Sequence, residues 1–413
     1  MAPRRGNAGE RGGATRVGED LVTGGGVGQS GDRPLAQRER RMLDLAARHA
    51  LRGTGRVEPN PCVGAVIARG DEVVAIGHHR VFGGLHAEAE ALASARARGV
   101  DVRGATMYVT LEPCAHFGKQ PPCADAVIAA GIGEVVIAQA DPNPVSAGGS
   151  VRLREAGIVV RYSDASPLAM HLAAPFLKRV RTKMPWVVAK WAQTIDGRIA
   201  TRTGESKWIS GDASRRRVHR VRSRMDAIVT GLGTVIADDP LLTVRGVPRP
   251  RRTPLRVVID PTLEMAMDRA LVRTAREAPT VAVCMRQIQN AAILAEKRAM
   301  LEGAGVRVVG VTGDMHWLDL REMLMRLAGE FDCTNVMIES GPGLLGSMLE
   351  QDLVDEAIVY IAPLVLGDAE AKAVAHGRVA KSLSEGRGFQ LCRVRAVGGD
   401  VELVYRRAPN RWS

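Results

Sequence analysis

The feature that most constrains this chain is a set of three soft side chains far apart in sequence. His86 opens His86-Ala87-Glu88, Cys114 follows Pro113, and eight residues separate Cys114 from Cys123. One imidazole and two thiolates suit Zn²⁺ and leave a fourth tetrahedral position for water. Local patterning puts His86 at the start of a helix, Pro113-Cys114 in a loop after a strand, and Cys123 at the start of the next helix. Backbone N–H groups at helix starts favour the thiolates' negative charge. Zinc lowers the pKa of its water. Glu88, two residues from a ligand, would sit beside the metal without binding it and act as the general acid/base. A purely structural site would instead close with a fourth ligand, for which Cys62, His78, His79 and His116 are available. His116 is read either as a plain loop residue or as a substrate contact.

Around this set, strands and helices alternate, which predicts an α/β layer structure. A chain of 413 residues exceeds one ordinary core, so two domains are expected. Residues 1–37 are rich in Gly and Arg and read as a disordered extension. Order is expected from Arg38, with a helix through ERRMLDLAARHAL. CVGAVIAR and EVVAIGHH form a hairpin, HAEAEALASARARG a helix, ATMYVT a strand, ADAVIAAG a short helix and EVVIAQA a strand. SPLAMHLAAPFLKRV is a connecting helix, and the domain boundary falls near 175–185. A second α/β series then supplies strands at Trp186–Ala192, Ala227–Thr230, Leu255–Asp260, Thr280–Cys284, Val306–Val311, Asn335–Glu339 and Ala357–Ile361. The expected units are thus 38–180 and 181–413, with no internal repeat.

Composition narrows the partners. The net charge is +12, and the stretch from Lys178 to Arg256 alone carries 19 basic and 6 acidic residues. Aromatic residues are only 3% of the chain, so platforms for base stacking are scarce and phosphate-bearing small molecules fit better than nucleic acid. There is no long apolar run and no secretory core near the first residues, so neither a membrane span nor export is expected. Six scattered cysteines argue for reduced thiols and a cytoplasmic setting. Cys284, Cys333 and Cys392 are expected to be buried. Asp352-Leu353-Val354-Asp355-Glu356 reads as a surface helix end entering a strand.

Nucleic-acid and nucleoside deaminases generally carry P-C-x-x-C. The longer gap here, Cys114-AHFGKQPP-Cys123 with His116, Gly118, Pro121 and Pro122, resembles the deaminase domain of bifunctional riboflavin biosynthesis enzymes. Glu58-Pro59-Asn60-Pro61-Cys62-Val63-Gly64-Ala65-Val66, Gly84-x-His86-Ala87-Glu88 and Asp141-Pro142-Asn143-Pro144 match that family as well. The resemblance implies a cytidine-deaminase-like domain acting on a diaminopyrimidinone that bears a ribosyl phosphate. Lys119-Gln120 departs from the family's Arg-Thr, and Ser146-Ala147-Gly148-Gly149-Ser150 replaces its Gly-Lys-Gly segment. Both changes bear on substrate positioning and leave the zinc set intact.

The second half resembles the same family's reductase domain, in the same order. The matching residues run from Lys190-Trp-Ala-Gln-Thr-Ile-Asp196-Gly through Gly204-Glu-Ser206-Lys-Trp208, Thr230-Gly231-Leu-Gly233-Thr234 and Asp238-Asp239-Pro240-Leu-Leu242-Thr-Val-Arg245. The implied fold is dihydrofolate-reductase-like and the implied cofactor NADPH. By resemblance Ala192, Trp208, Thr234 and Asp238 touch NADPH, while Ser206, Leu242 and Glu339 line the substrate side. Arg222 and Arg245 suit a substrate phosphate, since a guanidinium can hold it through two parallel hydrogen bonds. Asp196 either supports the reacting centre or shapes a turn with Gly197. Gly341-Pro342-Gly343-Leu344-Leu345-Gly346 contains G-x-G-x-x-G, but too late in the domain for a Rossmann site and without the acid about 20 residues on. Small residues before a helix still make a phosphate pocket, so Gly341 to Ser347 is the expected phosphate loop.

The expected protein is a bifunctional enzyme of two α/β domains. It deaminates a phosphorylated pyrimidine of riboflavin synthesis at zinc and then reduces the product's ribosyl group with NADPH. Family behaviour implies a homo-oligomer, dimer or tetramer. The rivals are a nucleoside or tRNA deaminase with an appended cofactor-like domain, which the cysteine spacing disfavours, and an RNA-binding protein with structural zinc, which the scarcity of aromatics disfavours.

Overall fold

The computed structural model describes residues 32–407 apart from 119, 249, 315–317 and 378–380. The first ten elements are α1 (Asp32–Ala50), β1 (Gly64–Arg69), β2 (Glu72–His78), α2 (Ala87–Ala97), β3 (Thr106–Val109), α3 (Cys123–Ala129), β4 (Glu134–Ile137), α4 (Gly149–Glu155), β5 (Val159–Tyr162) and α5 (Pro167–Thr182). Their strands form one sheet in the order β2-β1-β3-β4-β5. β1 runs antiparallel to β2 and β3, whereas β3, β4 and β5 are parallel.

Side chains alternate across these strands, and both faces of the central strands β1, β3 and β4 are covered. Val66, Ala68, Tyr108 and Val136 meet Met42, Leu43, Ala46 and Ala47 of α1 and Ala169 of α5. The intervening Ala65, Ile67, Met107, Val109, Val135 and Ile137 meet Ala87, Ala91 and Ala95 of α2, Ala124 and Val127 of α3, and Leu153 of α4. Two-sided burial is why the strands read as continuous apolar runs. Small residues bring α2 close to the sheet. A Cβ at Gly77 on β2 would overlap the Ala87 carbonyl oxygen and the Ala91 nitrogen. Glycine there lets the first turn of α2, which carries Glu88 just after His86, lie directly on the sheet.

The remaining elements are β6 (Trp186–Gln193), β7 (Arg198–Ala200), α6 (Asp212–Arg222), β8 (Ala227–Gly231), α7 (Leu232–Asp238), β9 (Leu255–Ile259), α8 (Ala270–Arg273), β10 (Thr280–Met285), α9 (Arg286–Asn290), α10 (Ala295–Gly303), β11 (Val306–Val311), α11 (Leu320–Glu330), β12 (Asn335–Ile338), α12 (Pro342–Glu350), β13 (Glu356–Ile361), β14 (Lys372–Ala373), β15 (Gln390–Val397) and β16 (Asp400–Arg406). Nine of the strands form a sheet in the order β11-β10-β9-β8-β12-β6-β13-β16-β15, and β14 pairs with β7. The large sheet is parallel up to β13 and antiparallel across β16 and β15. Its centre is apolar: Val187, Ala189, Val229, Val257, Val283 and Ile338 pack with Leu324, Leu327, Leu345 and Met348 from the helices.

Four expectations are corrected. Helix α1 begins at Asp32, so residues 32–37 are not part of an extension; residues 1–31 of that segment lie outside the described residues. Helix α4 and the β15–β16 hairpin were not anticipated. Every residue of β15 from Gln390 to Ala396 is exposed, so neither an apolar run nor an alternation marks it. Cys392 lies on that strand and is exposed, whereas Cys284 and Cys333 are buried. Asp355 is no surface residue: it is buried in an ion pair with the equally buried Lys178 of α5.

Candidate active sites

At the rim of the first sheet, the start of α2, the loop after β3 and the start of α3 meet. His86 Nδ1 lies 3.6 Å from Cys114 Sγ and 3.3 Å from Cys123 Sγ. The three ligand atoms fall within 4.8 Å of one another, the group among the described residues able to hold a metal ion. Their acid–base chemistry fits a divalent cation. The hydrogen bond between the two thiols pulls Cys114 down to about 4 and pushes Cys123 far up. Only one sulfur ionises readily by itself, and a cation relieves that conflict. Glu88 is buried beside them, and burial pushes its carboxyl up to about 7.

Three of the four candidate fourth ligands, His78, Cys62 and His79, are engaged elsewhere. His78 pairs with Glu90, and Cys62 hydrogen-bonds to Thr54. His79 Nδ1 is 2.8 Å from the Leu85 carbonyl, which can only accept, so Nδ1 carries the proton. Its Nε2 then accepts from Asn60 Nδ2 at 3.3 Å, and burial disfavours charging the ring. Asn60, His79, His86, Glu88, His116 and Asn143 line a cavity of about 260 Å³. His116 Nδ1 is buried in its wall without a hydrogen-bond partner.

A brace behind the cysteine loop had no assigned role in the sequence reading. Glu112 Oε1 accepts from the Ser150 amide at 2.8 Å, and Oε2 accepts from the Asp141 amide and the Tyr162 hydroxyl at 3.3 and 3.2 Å. Asp141 Oδ2 accepts from Ser146 Oγ at 2.6 Å, and the Ser146 carbonyl accepts from the Ala115 amide at 3.0 Å. A Cβ at Gly149 would overlap the Pro113 carbonyl oxygen. The Ser146–Ser150 departure therefore seats the loop that carries Cys114. Asp141 stands inside the quoted Asp141-Pro142-Asn143-Pro144 motif and Glu112 directly precedes Pro113-Cys114, the one signal that could have marked them. Lys119 lies outside the described residues.

The second candidate site lies where β6, β8 and β12 end, the usual ligand crevice of an open parallel sheet. Glu339, just after β12, is flanked by two cations. Arg222 Nε and Nη2 donate to it at 2.5 and 2.9 Å, and Lys190 Nζ lies at 3.5 Å. Burial opposes the charge, but Arg222 and Lys190 outweigh it and hold the carboxyl at about 2. Arg222 Nη1 donates to the Thr243 carbonyl. The structure thus commits Arg222 to a buried carboxylate, where a free phosphate clamp was expected. Arg245 is exposed, Leu242 is buried with φ +48°, and Ser206 is half-buried.

On the expected cofactor side, Trp208 is 68% exposed, and the Arg215 guanidinium lies 4.5 Å from its ring centre. Asp238 pairs with Lys207, and Ala192 lies half-buried on β6. Thr234 Oγ1 accepts from the Gly341 amide at 3.1 Å, joining α7 to the start of α12. Neither helix has a side-chain cap, so amide donors remain for a phosphate. Thr230 Oγ1, just before α7, is buried without a partner. This polar, uncapped cradle fits a dinucleotide. Within Gly341–Ser347 the division is sharper than expected: Leu345 packs into the core, and Gly346 is covered by the His376 carbonyl. Their side-chain positions therefore face away from the cradle, because a helix turns 100° per residue. Asp196 shapes a turn: it accepts from Thr194 Oγ1 and from the amides of Leu366 and Gly367.

Comparison with known proteins covers both halves. Residues 36–139 match the cytidine and deoxycytidylate deaminase zinc-binding region, and residues 185–403 match the RibD C-terminal domain. The riboflavin biosynthesis protein RibD of Aquifex aeolicus is 37% identical over 370 residues, covering 89% of this chain and 98% of that protein. RibD of Escherichia coli is 38% identical, covering 87% and 96%. A crystal structure from Thermotoga maritima, described as a diaminohydroxyphosphoribosylaminopyrimidine deaminase/5-amino-6-(5-phosphoribosylamino)uracil reductase, superimposes with TM-score 0.76 at 32% identity, covering 91% of this chain and all of that one. Acinetobacter baumannii RibD gives TM-score 0.75 at 34% identity, covering 90% and 99%. With both sites in the order and setting their motifs imply, the chain belongs to the RibD family, the bifunctional deaminase/reductases of riboflavin biosynthesis.

Proposed function

We propose that residues 38–180 deaminate 2,5-diamino-6-(5-phosphoribosylamino)pyrimidin-4-one and that residues 181–413 reduce the product's ribosyl group to ribityl. The observation that carries the first step is the convergence of His86, Cys114 and Cys123 beside buried Glu88 in a walled cavity. Zinc held by His86, Cys114 and Cys123 would lower the pKa of a water molecule. Glu88 would take one proton from the attacking water and give it to the ring nitrogen, then carry the second proton, from the newly added hydroxyl, to the departing amine. Water adds and ammonia leaves, so the amidine becomes a carbonyl. Asn60, His116 and Asn143 are the polar groups placed to orient the ring.

In the second step bound NADPH would supply the hydride, with the accompanying proton from water. The uncapped starts of α7 and α12, with Thr230 and Thr234, would hold its phosphates, and Trp208, Ala192 and Asp238 would border it. Glu339, fixed by Arg222 and Lys190, together with Ser206 and Leu242, forms the substrate wall. Arg245, exposed, is the arginine free to meet the substrate phosphate. Family membership and the exposed edge strand β15, with Leu391 and Val394 more than half exposed, support a homo-oligomer. Phosphorylated pyrimidines are the partners; nucleic acid is not. Among the described residues no helix is long and apolar enough to cross a membrane, and the reduced thiols support a cytoplasmic site.

One coupled assay tests the scheme. Purified protein is given the diaminopyrimidine or the deaminated pyrimidine, with NADPH, with and without a chelator. Chelation should stop ammonia release and spare NADPH oxidation on the deaminated pyrimidine. Loss of both, or of neither, refutes the division of labour.

A further inference from the structure

The loop that joins α1 to β1 delivers Asn60 and Pro61 to the wall of the deaminase cavity. That loop is held from the other half of the chain. Glu58 Oε1 accepts from the Gly55 amide at 2.8 Å, within the loop. Arg252, three residues before β9 of the large sheet, reaches across. Its Nε donates to the Gly55 carbonyl at 3.1 Å, and its Nη2 lies 3.4 Å from Glu58 Oε2. Its Nη1 pairs with Asp226. Neighbouring Arg251 donates to the carbonyls of Leu51 and Thr54.

The anchor is rigid. Asp226 Oδ2 accepts from the amides of Thr334 and Asn335 at 2.9 and 2.7 Å, which ties it to the start of β12. Its own backbone joins Asn335 and Leu255. The Glu58 and Asp226 side chains are 4% and 3% exposed, so Arg252 bridges two buried carboxylates that would otherwise sit uncompensated. A planar guanidinium presents separate, fixed nitrogens to the two carboxylates, whereas an ammonium is a single point charge on a flexible stem.

We infer that Arg252 is a positioning residue for the deaminase reaction: through Glu58 it sets Asn60 against the cavity, so a reductase-half side chain tunes the deaminase site. Asn60 in turn holds His79, whose ring lies edge-on to His86 with centres 5.3 Å apart. The effect is expected at the deaminase site. Asp226, Thr334 and Asn335 lie at the starts of β8 and β12, whereas Glu339, Gly231 and Thr234 lie at or beyond their ends. Arg252 and the reductase crevice thus lie at opposite ends of the strands.

This inference rests on the deaminase reading proposed above, and the test separates the two. Deaminase and reductase kinetics are measured on the full, zinc-loaded chain and on Arg252→Ala, Arg252→Lys and Glu58→Gln. Arg252→Ala should raise the deaminase KM for the diaminopyrimidine by roughly tenfold or more, since small misplacements of positioning groups are costly. Its kcat should fall much less, and zinc content and NADPH oxidation should match the wild type. Arg252→Lys should recover part of the loss, because it can satisfy one carboxylate. Glu58→Gln should shift KM in the same direction, and in combination with Arg252→Ala should add little. An unchanged KM in both Arg252→Ala and Glu58→Gln overturns the inference, as does an equal loss in both activities. If Arg252→Ala fails to fold, Glu58→Gln decides alone. A wild type that releases no ammonia would instead sink the deaminase reading itself.

Discussion

Glu339 makes a measurable wager on acid stability. Its carboxyl is buried between Arg222 and Lys190 and held at about 2, against about 4.5 in the unfolded chain. A depressed carboxyl stabilises the fold above its unfolded value and loses that contribution as pH falls toward its folded value. The pair of values corresponds to roughly 3 kcal/mol above pH 4.5, of which about 2 kcal/mol is gone by pH 3. Glu339→Gln removes this titration. The variant should be less stable at pH 7, where Arg222 and Lys190 lose their counter-charge, and the gap to the wild type should close by roughly 2 kcal/mol between pH 6 and pH 3. All five tryptophans lie at or beyond residue 186, so their fluorescence in a urea titration reports on the reductase half alone. This matters because two halves need not unfold together. If wild type and variant lose stability in parallel over that range, the carboxylate is not held low and the argument from its two cations fails.

Other outcomes follow from single contacts. Glu88→Gln should keep stoichiometric zinc, measured by metal analysis, while ammonia release falls by about 10²–10⁴; unchanged release refutes its proton-transfer role. Lys178→Met strips the cation from buried Asp355 and should cost about 3–5 kcal/mol in denaturant titration, whereas Lys178→Met with Asp355→Leu should cost clearly less. Gly77→Ala drives a methyl into the first turn of α2; it should weaken zinc binding in a chelator competition while leaving NADPH oxidation intact. A full zinc complement in that variant would show that the turn yields without moving His86.

The candidate metal site was legible because its chemistry is carried by residue type and its setting by local patterning. His86, Cys114 and Cys123 are rare, reactive side chains, each next to a helix start or strand exit that a few neighbouring residues specify. The buried strands were legible for the same reason, since two-sided burial writes an unbroken apolar run. What the sequence could not supply was the partner of each polar group. Arg222 and Arg245 look alike as letters, yet only the fold sets the first against Glu339 and leaves the second in solvent. Asp355 reads as surface until α5 brings Lys178 onto it. Leu345 and Gly346 belong to the phosphate-loop pattern, but the fold packs Leu345 into the core and sets the His376 carbonyl against Gly346. β15 is exposed on both faces, so burial leaves no imprint on it, and Arg252 reaches Glu58 across 194 positions of chain. Residue identity and short-range periodicity determined the zinc chemistry and the α/β layers; pairing between distant charges, which depends on three-dimensional proximity alone, was decided by the tertiary structure.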